Sequence, residues 1–165
     1  MPTQVKPKKR IVVIDPKRML VDFTEVFETN DAYPLVGLVG GKVDFGTLAR
    51  DPDTGITYNI IVYEFGLYVP PEHGHYFSIG SSLYEGGAIL FAADHMGETV
   101  SYPATKPPVQ FYRSGEEVEA AIQRREINRP YSAINGEVIW QWPSHGQFTE
   151  QAIRDRLKEQ FGGSL

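Results

Sequence analysis

Cysteine is absent from the 165-residue chain, which excludes a disulfide framework, a thiolate metal site and a cysteine nucleophile. Any metal would have to be held by His, Asp or Glu. No apolar run approaches the ~20 residues of a membrane span. The short run Arg10-Ile-Val-Val-Ile14 behind a basic N-terminus stops at Asp15-Pro16, so the chain reads as soluble and cytoplasmic, without a secretory leader. Lysine and arginine are missing from positions 51–105, although Asp51, Asp53, Glu64, Glu72, Glu85, Asp94 and Glu98 all lie there. With a net charge of −5, the protein lacks the basic face that a general phosphate-backbone binder needs to displace counterions. A protein partner with a basic surface fits this balance better than nucleic acid does.

Catalytic signatures are also missing. There is no Gly-x-Ser-x-Gly elbow to expose a serine nucleophile. Gly37, Gly40 and Gly41 precede Lys42-Val43, not the Lys-Ser/Thr that opens the helix of a phosphate-binding loop. The acidic pair Glu116-Glu117 falls in an expected first helical turn, where negative charge complements the helix dipole. The reading leans away from an enzyme and expects no cofactor, apart from a divalent metal at the histidines discussed below.

What is present is enough apolar residue for a core: 41% hydrophobic and 12% aromatic. A domain of this length buries roughly 70% of the surface its unfolded chain exposes. Residues 1–9, with Lys6, Lys8 and Lys9, read as a flexible basic arm. Residues 10–102 read as a β-rich core domain, 103–108 (PATKPP) as a proline-rich linker, and 109–165 as an α/β extension packed on the core. Beyond the linker the charge is balanced, with eight Lys/Arg and eight Asp/Glu between 106 and 165.

Within the core, Arg10–Ile14 is a β-branched first strand and Leu20–Thr29 leans to strand. Val43–Ala49 and Ile56–Tyr63 flank the turn-rich Asp51-Pro-Asp-Thr-Gly55 and predict a hairpin. In the extension, Ser114-Gly-Glu-Glu117 matches a capping box and predicts a helix over about 115–125. Asn135-Gly136 supplies the two positive-φ residues of a type I′ turn, so its flanks should pair. Trp140 and Trp142 follow on the same strand and are read as core cover, or else as an aromatic contact patch. Phe148, Ala152, Ile153, Leu157 and Phe161 form the stripe of a final helix. The expected fold is α+β: a mainly antiparallel sheet or partly open barrel, then a helix-hairpin-helix segment.

The middle of the chain carries the candidate sites. His73 and His75, two apart on an extended segment, project to one face and could offer two imidazoles to one metal. Gly66, His73 and His75 are placed as in the first motif of the cupins, although the glutamate of that motif is missing. The run FGLYVPP followed by GSSLYEGGAIL is similar to a segment of deoxyuridine triphosphatases that binds phosphate near Ser81 and Ser82. Gly80 stands where that family has arginine, so the phosphate would lack its charge-assisted donor. Over roughly the first 100 residues the chain resembles a small uncharacterised domain family of phages, plasmids and other mobile elements. The resemblance is carried by Arg10-Ile-Val-Val-Ile-Asp-Pro16, Leu38-Val-Gly-Gly41, Tyr63-Glu-Phe-Gly-Leu67, and Gly87-Ala-Ile-Leu-Phe-Ala-Ala-Asp94 leading to Gly97-Glu-Thr99.

That resemblance implies a genomic setting in which small accessory proteins act by binding a host or rival component. The leading expectation is therefore a non-enzymatic protein that binds another protein, as an inhibitor of host defence, through an acidic face of Glu64, Glu72, Glu85 and Asp94 with Trp140 and Trp142 as aromatic contacts. The alternative is a small-ligand, nucleotide or metal-binding protein using the His73/His75 and Ser81/Ser82 loops, a degenerate relative of the triphosphatases or cupins.

Overall fold

The computed structural model describes residues 6–39, 42–143 and 155. In chain order its strands are β1 (Lys9–Asp15), β2 (Leu20–Val26), β3 (Val43–Arg50), β4 (Thr57–Tyr63), β5 (Tyr76–Ile79), β6 (Ser82–Glu85), β7 (Ala88–Ala93), β8 (Thr99–Val100), β9 (Gln110–Tyr112), β10 (Tyr131–Ile134) and β11 (Glu137–Trp140). Helix α1 spans Gly115–Gln123, and two 3-10 turns span Thr29–Val36 and Gly66–Tyr68. The chain forms two compact units. One contains residues 1–64 and 86–107, the other residues 65–85 and 108–165. The junction at 107/108 falls within the proline-rich stretch, whereas 65–85, contiguous in sequence with the first unit, clusters with the second.

In the first unit a six-stranded antiparallel sheet runs in the order β2-β1-β7-β4-β3, with β8 also paired to β7. The short connection at Asp15–Leu20 joins β1 to β2, which pair in register from Lys9↔Val26 to Asp15↔Leu20. The Asp51–Gly55 turn closes the expected hairpin of β3 and β4, with a bulge between Thr47 and Ala49. Gly55 takes the positive φ that this turn requires. Along β1, Ile11, Val12 and Ile14 are all buried, as are Ile60 and Ile61 of β4 and Ala88, Ile89, Leu90 and Ala92 of β7. Consecutive buried positions mean that both faces of the central strands are dry, so these strands read as continuous apolar runs and not as alternation. One face packs Ile11, Ile61 and Ile89 against Ala32 and Leu38. Gly87 is required there: a Cβ at that position would overlap the Val36 carbonyl and lie 2.6 Å from Val36 Cβ.

The second unit contains the three-stranded antiparallel sheet β6-β5-β9, helix α1 and the hairpin β10-β11. Val118 and Ala121, on one face of α1, meet Tyr76, Leu83, Ile127 and Trp142 in a core of their own. The single buried polar side chain among the described residues, Ser78, pairs its hydroxyl with that of Tyr112 at 2.9 Å, which offsets the cost of removing both from water. In the hairpin, Asn135 and Gly136 have φ of 52° and 78°, as the type I′ turn demands.

The expected fold class needs correction. The described residues are dominated by antiparallel sheets and contain no helix-hairpin-helix segment. The large sheet ends on β2 and β3, which do not pair, so it is open and not a barrel. The strand-forming residues 76–85 build a second sheet and do not extend the first. Helix α1 is followed by the expected hairpin. Of the final helix, Asp155 is helical, and the apolar stripe Phe148 to Phe161 lies outside the described residues.

Candidate functional site

The second unit holds a cleft of about 910 Å³, whose walls come from two segments far apart in sequence. One wall is Pro71–His75. His73 donates its backbone N–H to the Pro70 carbonyl at 2.9 Å, making a turn. Gly74 sits between the two histidines because any side chain there would run into Tyr76, with a Cβ only 2.5 Å from its Cε2. This glycine lets the chain pass over a buried ring and present His73 and His75 to solvent. The other wall is the start of α1. Ser114 accepts the Glu117 N–H at 3.2 Å, and the Glu117 carboxylate accepts the Arg113 N–H at 2.8 Å. The Ser114 hydroxyl satisfies one of the donors that a helix start leaves unpaired; the Glu117 carboxylate reaches back not to the N–H of Ser114, as the expected capping box would have it, but to that of the preceding Arg113.

Trp142 and Pro143 complete the cleft. Trp142 is 2% exposed and meets Tyr76 edge-on, with centroids 6.0 Å apart. Its indole N–H has no hydrogen-bond partner among the described residues. The neighbouring Tyr76 hydroxyl, which donates to the Val69 carbonyl at 3.4 Å, does not reach hydrogen-bond geometry with it. Burial pushes that hydroxyl's pKa up to about 12. Arg129 lies over the Trp142 ring at 5.8 Å and pairs with Glu119. The hydrogen bond from Arg129 holds the Glu119 carboxyl below the usual carboxylate range. With that pair mutually neutralised, the exposed Arg113, Glu72 and Glu116 supply the remaining formal charges of the lining, of both signs.

Glu85 lies close beneath the histidine wall. Its Oε1 is 3.5 Å from the His75 N–H, and its Oε2 lies 2.9 Å from where a Cβ on Gly66 would stand. Burial raises its pKa from 4.5 to about 7, the weak bond from His75 pulling the other way. A carboxyl desolvated in this manner is held near the midpoint of its titration at neutral pH.

The residues picked out in sequence are dispersed. Glu64 and Asp94 belong to the first unit, and Glu72 and Glu85 to the second. Asp94 accepts the N–H groups of Met96 and Glu98 at 2.9 and 3.0 Å and so shapes a turn. Glu85 is half-buried, and Glu72 stands on the cleft rim. The two tryptophans part company: Trp140 is 49% exposed while Trp142 is buried, because β11 ends at Trp140 and strand alternation does not carry past it. Ser81 and Ser82 are exposed at the turn joining β5 to β6, at the opposite end of β5 from His75, so the two loops do not make one site. His73 and His75 share the cleft, but no group of three or more metal-binding side chains forms among the described residues.

Sequence reasoning missed Arg113, Gly115, Arg129 and Pro143 as cleft residues. The Ser114–Glu117 signal marked the helix start, but nothing in the sequence marked Pro71 as its neighbour. Against known proteins, no family model, no curated protein and no solved structure matches the chain.

Proposed function

We propose that the second unit is a binding module for a small polar molecule, received in the cleft between Pro71–His75 and the start of α1. The observation that carries this reading is the convergence of both histidines, the Arg113 guanidinium, which has no ion-pair partner among the described residues, and the Glu72 and Glu116 carboxylates around one concavity with an apolar Trp142-Pro143 floor. Its volume lies within the roughly 300–1,000 Å³ of small-molecule sites, and a mostly apolar lining with a few convergent polar groups is their usual make-up. The lining carries both signs of charge, which fits an uncharged or amphoteric ligand better than a polyanion. The test is ligand-observed NMR with pooled metabolites of below 1 kDa, and calorimetric titration with Zn²⁺, on the wild type and on a His73→Ala/His75→Ala variant. Binders whose signals are lost in the variant support the reading. Binding that the variant leaves intact, or none across the panel, refutes it.

A second reading, binding to a protein, is favoured by the outer face of the hairpin. There Tyr131, Val138 and Trp140 are 61%, 50% and 49% exposed, and Tyr131 and Trp140 pair edge-on across the strands. Exposed aromatic clusters of this type are common interface anchors. In this reading the chain is an accessory protein of a phage or other mobile element, and Trp140→Ala abolishes capture of its partner. Charge reversal at Glu64, Glu72 and Asp94 tests the acidic-face version separately.

A further inference from the structure

Resting on the cleft reading, we propose that Val69–His75 is a lid, seated on the first residue of α1 and able to swing away from it to admit the ligand. The segment lies between the 3-10 turn Gly66–Tyr68 and β5 and has no strand structure of its own. Pro70 and Pro71 have no N–H to give. Among the described residues, three hydrogen bonds tie the segment to other parts of the unit. One, at its first residue, is Val69 N–H to the Gly66 carbonyl at 3.0 Å; beyond that hinge there are Tyr76 hydroxyl to Val69 carbonyl at 3.4 Å and His75 N–H to Glu85 at 3.5 Å. The last two, at this length, contribute little.

The seat is tight. A Cβ on Gly115 would lie 2.9 Å from Pro71 Cβ, yet at an ordinary 3.7 Å from Trp142 Cζ2. Glycine at the first position of α1 therefore has no helical purpose, since alanine forms helix better; what glycine allows is the approach of Pro71. Trp142 lines the same cleft as Pro71, and its indole N–H has no hydrogen-bond partner among the described residues. The Glu85 carboxyl meets the segment at its last residue, His75, through that long bond alone.

The test uses Gly115→Ala in a Trp140→Phe background, which leaves Trp142 as the sole tryptophan. The added methyl wedges Pro71 away without harming the helix. Acrylamide quenching of Trp142 should rise, and amide exchange of His75, whose N–H bonds outside the segment to Glu85, should quicken, the signature of a local opening, while the melting temperature holds. Pro71→Gly, which removes the seat from the other side, should give the same quenching and exchange. Unchanged quenching and exchange in both variants overturns the lid, as does a gain that comes with a lowered melting temperature. None of these readouts involves a ligand. Failure of the NMR screen with a lid that opens would sink the cleft reading, and a successful screen with an unresponsive lid would sink only the lid.

Discussion

Glu85→Gln should change how stability depends on pH. In the folded protein burial raises the Glu85 pKa from its ordinary 4.5 to about 7. An acid whose folded pKa lies above its unfolded one stabilises the fold fully below the unfolded value and loses that contribution as pH rises through the folded value. Between pH 4.5 and 7 the native state holds a proton that the unfolded chain has released, so stability falls by about 1.4 kcal/mol per pH unit over that window. The interval amounts to about 3 kcal/mol, an upper figure because the group is only partly shielded from water. Glutamine keeps the shape and carries no charge. Relative to wild type, the variant should therefore gain stability progressively from pH 4.5 to 7 and hold a constant advantage above it. The assay is urea unfolding of both proteins at pH 4.5, 5.5, 6.5 and 7.5, followed by far-UV circular dichroism. A constant offset from glutamine's own contacts does not matter, since the slope of the difference carries the argument. A difference that does not vary with pH would refute the claim that Glu85 is desolvated.

Three further outcomes are expected. Gly87→Ala should lower the stability of the first unit by about 1–3 kcal/mol or more, since its methyl meets the backbone of the 3-10 turn and not a side chain that can move; hydrogen exchange should find the loss in β7 and in Thr29–Val36. Ile89→Ala, at a fully buried position in β7, should cost about 2–5 kcal/mol by denaturant unfolding, with m unchanged. Ser114→Ala should cost about 1 kcal/mol by removing the acceptor of the Glu117 N–H, and the exchange of that amide should report it directly.

Much of the local structure was legible in the sequence because it depends on residues close together in the chain. The Asp51–Gly55 and Asn135-Gly136 hairpins, the cap at Ser114 and the strand character of β1 and β2 follow from turn chemistry and short-range pattern. Helix α1 starts at the expected residue and stops at Gln123, with Arg125 turning to a φ of 61°. Side-chain alternation was a sound guide only inside strands. It placed Val138 and Trp140 on one face, then failed at Trp142, one step beyond the end of β11.

Tertiary structure alone decided the rest. Composition and local pattern determined that this is a β-rich chain with two tight hairpins, one capped helix and a region without positive charge. The order β2-β1-β7-β4-β3, the transfer of 65–85 into the second unit, and the separation of the acidic residues between the units depend on which apolar surfaces find each other across long stretches of chain, which no local signal encodes. The cleft is of the same kind. His73 and His75 were visible as a pair, but their company with Arg113, Gly115 and Trp142 arises because the same small core draws Tyr76, Val118 and Trp142 together and carries the polar residues beside them into one place.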